Sequence, residues 1–377
     1  MDVVSTTSNA SRMQMGRRSG LGVVGALLLA APSGCGSDTS SNRAAVKAPS
    51  ISASGAAFKC PSETLTVGAA SGVRAGKLQI VTTVAPITSI VANIAGDKAD
   101  VHGVIPEGTN SHTYEPRPSV AKLMATADIV FVNGLQLEDP TKEIAETNLR
   151  TGAQVIEMGT LTIRPDQYIY DFSFPKDGGK PNPHLWTNPP MARCYAGIAA
   201  SVLSKADPPN AAYYSNNAAT YSAKLDEFDA LMTAATATIP SASRELLTYH
   251  DAYAYFAVHY GYNVIGAIQV SDFEEPSPKE VAELITQIKA EKVSAVFGSE
   301  VFPSPVLAQI AEESGAKYVD DLRDDDLPGA PGESDHSYLG LMKFDFVTII
   351  TNLGGDATKL QAFDASDVAL DAADYPQ

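Results

Sequence analysis

Six histidines occur in this 377-residue chain: His102, His112, His184, His250, His259 and His336. Three stand where an imidazole has little apolar core to fill and a backbone with little freedom. His112 lies in NSHTYEPRPS and His184 in KPNPHLWTNPP, each framed by prolines that restrict φ and so orient the ring in advance. His250 follows the apolar run ELLTY and opens HDAYAYFAVHYG. That puts it at the carboxyl end of an expected strand, where open α/β sheets bind their ligands. The acidic run VDDLRDDDLPG, from Val319 to Gly329, also begins at a strand end, after AKYV. Three imidazoles and one carboxylate make a closed shell for a borderline divalent metal, with zinc the leading choice. Taken singly, each of these groups is an ordinary polar residue, and only their convergence would make a site. The remaining histidines are read as structural: His102 inside a strand, His259 within an apolar helix and His336 in the loop GESDHSYLG.

The elements that must bring these residues together alternate in type. LQIVTTV reads as a buried strand, ITSIVANIAG as a helix stopped by glycine, DVHGVI as a strand, PSVAKLMATA as a helix opened by proline and DIVFVNG as a strand. The same order returns in ELLTYH, NVIGAIQV, the helix SPKEVAELITQIKAEK, SAVFGSE and KYVDDL. Strand–helix alternation at this spacing predicts an α/β fold of two lobes, each a mostly parallel sheet covered by helices. Between them, Ala218, Tyr221, Leu225, Phe228, Met232 and Ala235 step by three or four residues, with proline at both ends of the segment and none inside. That pattern predicts one long helix with a single apolar stripe, a rigid connector that limits motion between the lobes. The expected divisions are an amino-terminal lobe over residues 77–207, a linking helix over 208–239 and a carboxy-terminal lobe over 240–377.

Before the first lobe, Arg12, Arg17 and Arg18 precede LGVVGALLLAA and then PSGC. A basic start, a short apolar run and small residues before a cleavage point describe a secretory signal over residues 1–34. The small residues directly before Cys35 are those of a lipoprotein signal, with Cys35 lipidated as the mature amino terminus; Pro32 stands where such signals usually carry leucine. Residues 35–76, rich in Ser, Ala and Gly, read as a flexible tether. In an exported chain Cys60 and Cys194 form a disulfide or remain two buried thiols, and the sequence leaves both open. The net charge of −17 argues against nucleic acid as a partner and is compatible with a cationic one.

The stretch from IVTTVAPITSI through EGTNSHTYEPRPSVAKL to FVNGLQLE, followed by NPHLWTNP, TYHDAYAYFAVHYG, SAVFGSE and SYLGLMKFD, resembles the zinc- and manganese-binding proteins of bacterial ABC importers. These are metal-specific solute-binding proteins with a long linking helix, and the resemblance runs from Lys77 to about Gly355. It implies a metal site between the lobes, a permease as partner, a lipid anchor to the outer face of the membrane or a periplasmic location, and a monomer. By motif, H-x-Y-E-P places the first metal ligand on His112, P-H-x-W the second on His184, and H-D-A-[FY]-x-Y-F the third on His250. A TDSL-like segment places the carboxylate on Asp325 when its leucine is matched to Leu327. Here the chain departs from the family, because Asp324 and Asp326 flank that position and the usual serine is missing. The His-rich loop of many zinc-dedicated members is also absent from TIRPDQYIYDFSFPKDGGKPNP.

The expected function is capture of a divalent transition metal, Zn2+ before Mn2+, and delivery to an ABC permease, without catalysis. Zinc suits three neutral imidazoles and one carboxylate, while manganese asks for more oxygen. Affinity is expected to fall as the histidines protonate below about pH 6.5. The competing readings are a secreted zinc hydrolase and a binding protein for a metal chelate. Against the hydrolase, the chain holds no H-E-x-x-H, and a fourth protein ligand would take the place of the catalytic water.

Overall fold

The computed structural model describes residues 58–61, 76–269, 275–301 and 304–376. The expected signal over 1–34, Cys35 and nearly all of the 35–76 tether lie outside the described residues.

The first half builds a four-stranded sheet from β1 (Leu78–Thr82), β2 (Ala99–Gly103), β3 (Ile129–Val132) and β4 (Gln154–Glu157). Its order is β2-β1-β3-β4 and every pairing is parallel. All four residues of β3, Ile-Val-Phe-Val, are buried, as a strand covered on both faces requires. The helices of this half are α1 (Ala85–Ala95), α2 (Pro118–Thr126), α3 (Asp139–Asn148), α4 (Met158–Thr162) and α5 (Pro189–Ala206). Four of the five, α1, α2, α3 and α5, carry proline in their first turn, where its missing N–H costs nothing.

Helix α6 (Ala211–Thr236) follows, preceded by a single 3-10 turn at Pro208–Asn210. Its 26 residues span about 39 Å at the usual rise. Tyr214, Ala218, Tyr221, Leu225, Phe228, Met232 and Ala235 are buried along one face. That face lies along α5 and also meets α1.

The second half repeats the plan. Strands β5 (Glu245–Thr248), β6 (Asn263–Ala267), β7 (Ala295–Phe297) and β8 (Lys317–Val319) pair in parallel in the order β6-β5-β7-β8. Helices α7 (Ala254–Tyr260), α8 (Pro278–Glu291) and α9 (Pro305–Ser314) connect them. Helix α8 opens with a capping box, in which Ser277 and Glu280 satisfy each other's backbone N–H.

The last helices, α10 (Tyr338–Asn352) and α11 (Thr358–Gln361), pack on α6, and α10 also meets α1. The chain end then crosses to the first sheet. Asn93 on α1 donates to Asp367 at 2.8 Å and accepts from the Val368 N–H at 2.9 Å. Asp374 bridges to His102 in β2, its carbonyl accepting from the Gly103 N–H at 2.8 Å. Gly103 is required there, because a Cβ would overlap the Tyr375 ring. The tail therefore covers the open edge of the first sheet.

Cys60 and Cys194 are bonded, with Cα atoms 5.5 Å apart, which settles the alternative left open by the sequence. The bridge holds residues 58–61 against α5 across a separation of 134 residues. Among the described residues no helix is long and apolar enough to cross a membrane.

Candidate metal centre

The three proline-framed or strand-end histidines meet at one point. His112 comes from the loop between β2 and α2, His184 from the segment entering α5, and His250 from the turn after β5. His184 and His250 are buried, and His112 is partly buried. The Nε2 atoms of His112 and His250 lie 3.1 Å and 3.0 Å from Nε2 of His184. Their ring centroids are 4.8–5.1 Å apart.

Neighbouring groups dictate which nitrogen of His184 and of His250 faces inward. Asn182 accepts from both the backbone N–H of His184 at 3.0 Å and its ring Nδ1 at 2.9 Å. Asn182 is itself held, donating to Asp171 Oδ2 at 2.8 Å and to the Asp251 carbonyl at 2.7 Å. Nδ1 of His250 faces Gln269 Oε1 at 3.4 Å. A proton on Nδ1 of each ring leaves the Nε2 lone pairs of His184 and His250 turned toward each other. Burial keeps all three rings neutral: it depresses the pKa of His112 and of His184 well below the usual value, and that of His250 to about 4. Neutral lone pairs this close repel, and a shared cation turns that repulsion into coordination.

The acidic loop after β8 closes the fourth side. Ligand atoms of His184, Asp324 and Asp325 also lie within 4.8 Å of one another. Oδ2 of Asp325 accepts from the Ser111 N–H at 3.4 Å, while its Oδ1 is buried without a hydrogen-bond partner. Oδ2 of Asp324 lies 3.7 Å from Nε2 of His250. Asp326 turns elsewhere, accepting from the backbone N–H of Gly108. Burial raises the pKa of Asp325 to about 6, against the hydrogen bonding from Ser111, and lifts that of Asp324 well above the usual range.

Two groups hold this loop in place. Glu300 Oε1 accepts from the backbone N–H of Asp324 at 3.1 Å, Asp325 at 3.4 Å and Asp326 at 3.2 Å. Trp186, two residues after His184, donates its indole N–H to the Asp324 carbonyl at 2.8 Å. Gly298 lets β7 approach the loop, since a Cβ there would sit 2.8 Å from the Asp320 carbonyl.

Asn182, Gln269 and Glu300 were not singled out from the sequence. Asn182 had a signal, an amide two residues ahead of a candidate ligand within PNPH, whereas Gln269 and Glu300 act through folding alone. The other histidines pair with carboxylates away from the centre. His102 meets Asp374, His259 lies 2.7 Å from Asp229, and His336 lies 3.4 Å from Glu107.

The profile of the family described as zinc-uptake complex component A, periplasmic, matches residues 80–352. The chain belongs to this family. Its members are substrate-binding proteins of metal ABC importers and not enzymes, which removes the hydrolase reading. Among relatives, the iron-binding protein YfeA of Yersinia pestis is 29% identical over 74% of this chain and 88% of its own length. The manganese ABC transporter substrate-binding lipoprotein PsaA of Streptococcus pneumoniae is 28% identical over 76% and 92%. Among solved structures, the periplasmic zinc-binding protein TroA of Treponema pallidum is 26% identical, with a TM-score of 0.67 over 74% of this chain and 99% of that one. The substrate of a zinc-uptake family protein of this kind is thus a divalent metal ion.

Proposed function

We propose that this protein captures a single divalent transition metal between its two lobes and delivers it to a membrane permease. Nε2 of His112, His184 and His250 supplies nitrogen, and Asp325 supplies oxygen and negative charge. The observation that carries this reading is the convergence of three neutral Nε2 atoms within 3.1 Å steps, next to a buried carboxylate oxygen without a partner. Zinc is the proposed first cargo, because three nitrogens and one carboxylate complete its tetrahedral shell. Manganese is the second, since relatives of comparable similarity are named for manganese and iron. A naked ion fits better than a chelate, because His184 is 0% exposed, His250 2% and Asp325 5%.

The same reading makes the protein exported and anchored through Cys35, with residues 35–76 as the tether that lets it reach the permease. The lobes are residues 77–207 and 240–377, joined by the helical segment 208–239, and the protein acts as a monomer. Elemental mass spectrometry after expression with zinc and manganese both supplied tests the cargo. One bound metal per chain is expected; a metal-free protein that takes up neither ion on titration overturns the reading.

A further inference from the structure

Five carboxyls crowd the closing loop, and their hydrogen bonds sort them. Glu300 is occupied by three backbone N–H groups. Asp345 accepts from the Arg323 N–H and from Tyr253 Oη, each at 2.8 Å. Asp326 is bound to Gly108. Only Asp324 and Asp325 of the five share a group with a ring nitrogen of the histidine cluster.

Asp324 is held in that pose from several sides. Its N–H is bound by Glu300, its carbonyl by Trp186, and its Oδ1 accepts from Ser299 Oγ at 3.4 Å. These contacts leave Oδ2 on the side of His250, 3.7 Å from the nitrogen that faces the centre. Asp324 is 3% exposed, so its charge needs a partner inside the protein. The guanidinium of the adjacent Arg323 is turned to Asp321 and to the Leu327 carbonyl.

We propose that Asp324 is a fifth metal donor, and that its second carboxylate sets which cations the site accepts. The proposal rests on the metal-capture reading above. With Asp324 and Asp325 both ionised, two negative charges cancel a divalent cation, and the buried site is neutral when loaded. A fifth donor is superfluous for tetrahedral zinc. It serves a harder ion that takes more oxygen and a higher coordination number, such as Mn2+. Asp324 thereby widens the cargo range from zinc to manganese.

The test compares Zn2+ and Mn2+ dissociation constants, measured by competition titration, for the wild-type protein, Asp324→Asn, Asp324→Ser and His250→Ala. Removing Asp324 is expected to weaken Mn2+ by about 10- to 100-fold while moving Zn2+ far less. Asp324→Ser keeps a small polar group beside Ser299 and guards against a folding defect in Asp324→Asn. His250→Ala is expected to weaken both ions together. Equal losses for both ions, or no change for either, in the Asp324 variants would overturn the role of Asp324 while leaving metal capture intact. A wild-type protein that binds neither ion overturns both.

Discussion

At the scale of single residues, the centre is built from neutral nitrogen and costly carboxylate. Because burial takes the His250 pKa down to about 4, its imidazole is ready for a metal well below the pH expected from an exposed histidine. The carboxyls are the raised groups: Asp324 lies well above the usual range, and Asp325 is at about 6. Asp325 binds metal only as the anion, so it is competent above that pH and becomes protonated as pH falls through it. Metal affinity is therefore expected to decline as pH falls through about 6, with protonation of His250 adding to the loss near pH 4. Titration calorimetry across this range checks the window, which replaces the one that unperturbed histidines would give. The second residue-scale prediction concerns Asn182, which fixes the inward nitrogen of His184. Asn182→Ala should weaken metal binding by about 10- to 100-fold with the fold retained, as circular dichroism and a zinc competition assay would show. Unchanged affinity would mean that the tautomer of His184 is held by something else.

At the scale of elements, the sequence carried the strands and helices well because their patterns are local. The stripe from Ala218 to Ala235 announced a long helix, and the structure buries every one of those stripe residues. Parallel order and the place of each strand end follow from strand–helix alternation, which by itself puts His250 near an expected ligand site. What stayed hidden was tertiary. Glu300 earns no local signal, yet it holds the loop of Asp324–Asp326 by three backbone bonds formed across β7 and β8. The return of Asp367 and Asp374 to α1 and β2 is equally unreadable, since contacts 274 and 272 residues apart leave no periodicity. Phe228 tests the helix stripe itself. It stacks on Phe346 of α10 and meets the tilted ring of Phe363, with centroids 5.5 and 5.0 Å away. Phe228→Ala should cost about 3–5 kcal/mol in urea denaturation, with zinc affinity unchanged in the folded fraction. A loss below about 1 kcal/mol would mean that α6 is not part of the shared core.

At the scale of the whole molecule, two α/β halves of the same strand order present opposing loops to the candidate metal centre. The first half supplies His112 and His184, and the second supplies His250, Asp324 and Asp325. Helix α6 and the crossing tail tie the halves together through contacts that do not involve the candidate metal ligands. The ion adds to stability by mass action: about 2.7 kcal/mol at free metal 100 times the dissociation constant. A rise in melting temperature that grows with zinc concentration, and vanishes with His184→Ala, is the expected outcome in differential scanning calorimetry. A zinc-dependent rise that survives in His184→Ala would place the stabilising ion elsewhere.

The central claim is that His112, His184, His250 and Asp325 hold one metal ion. Calorimetric titration of metal-free protein with Zn2+, run beside His184→Ala, tests it most directly, because His184 belongs to both clusters of converging ligand atoms. The account predicts one tight equivalent for the wild type and a loss of at least about 100-fold in affinity for the variant. Wild-type affinity in His184→Ala would contradict it.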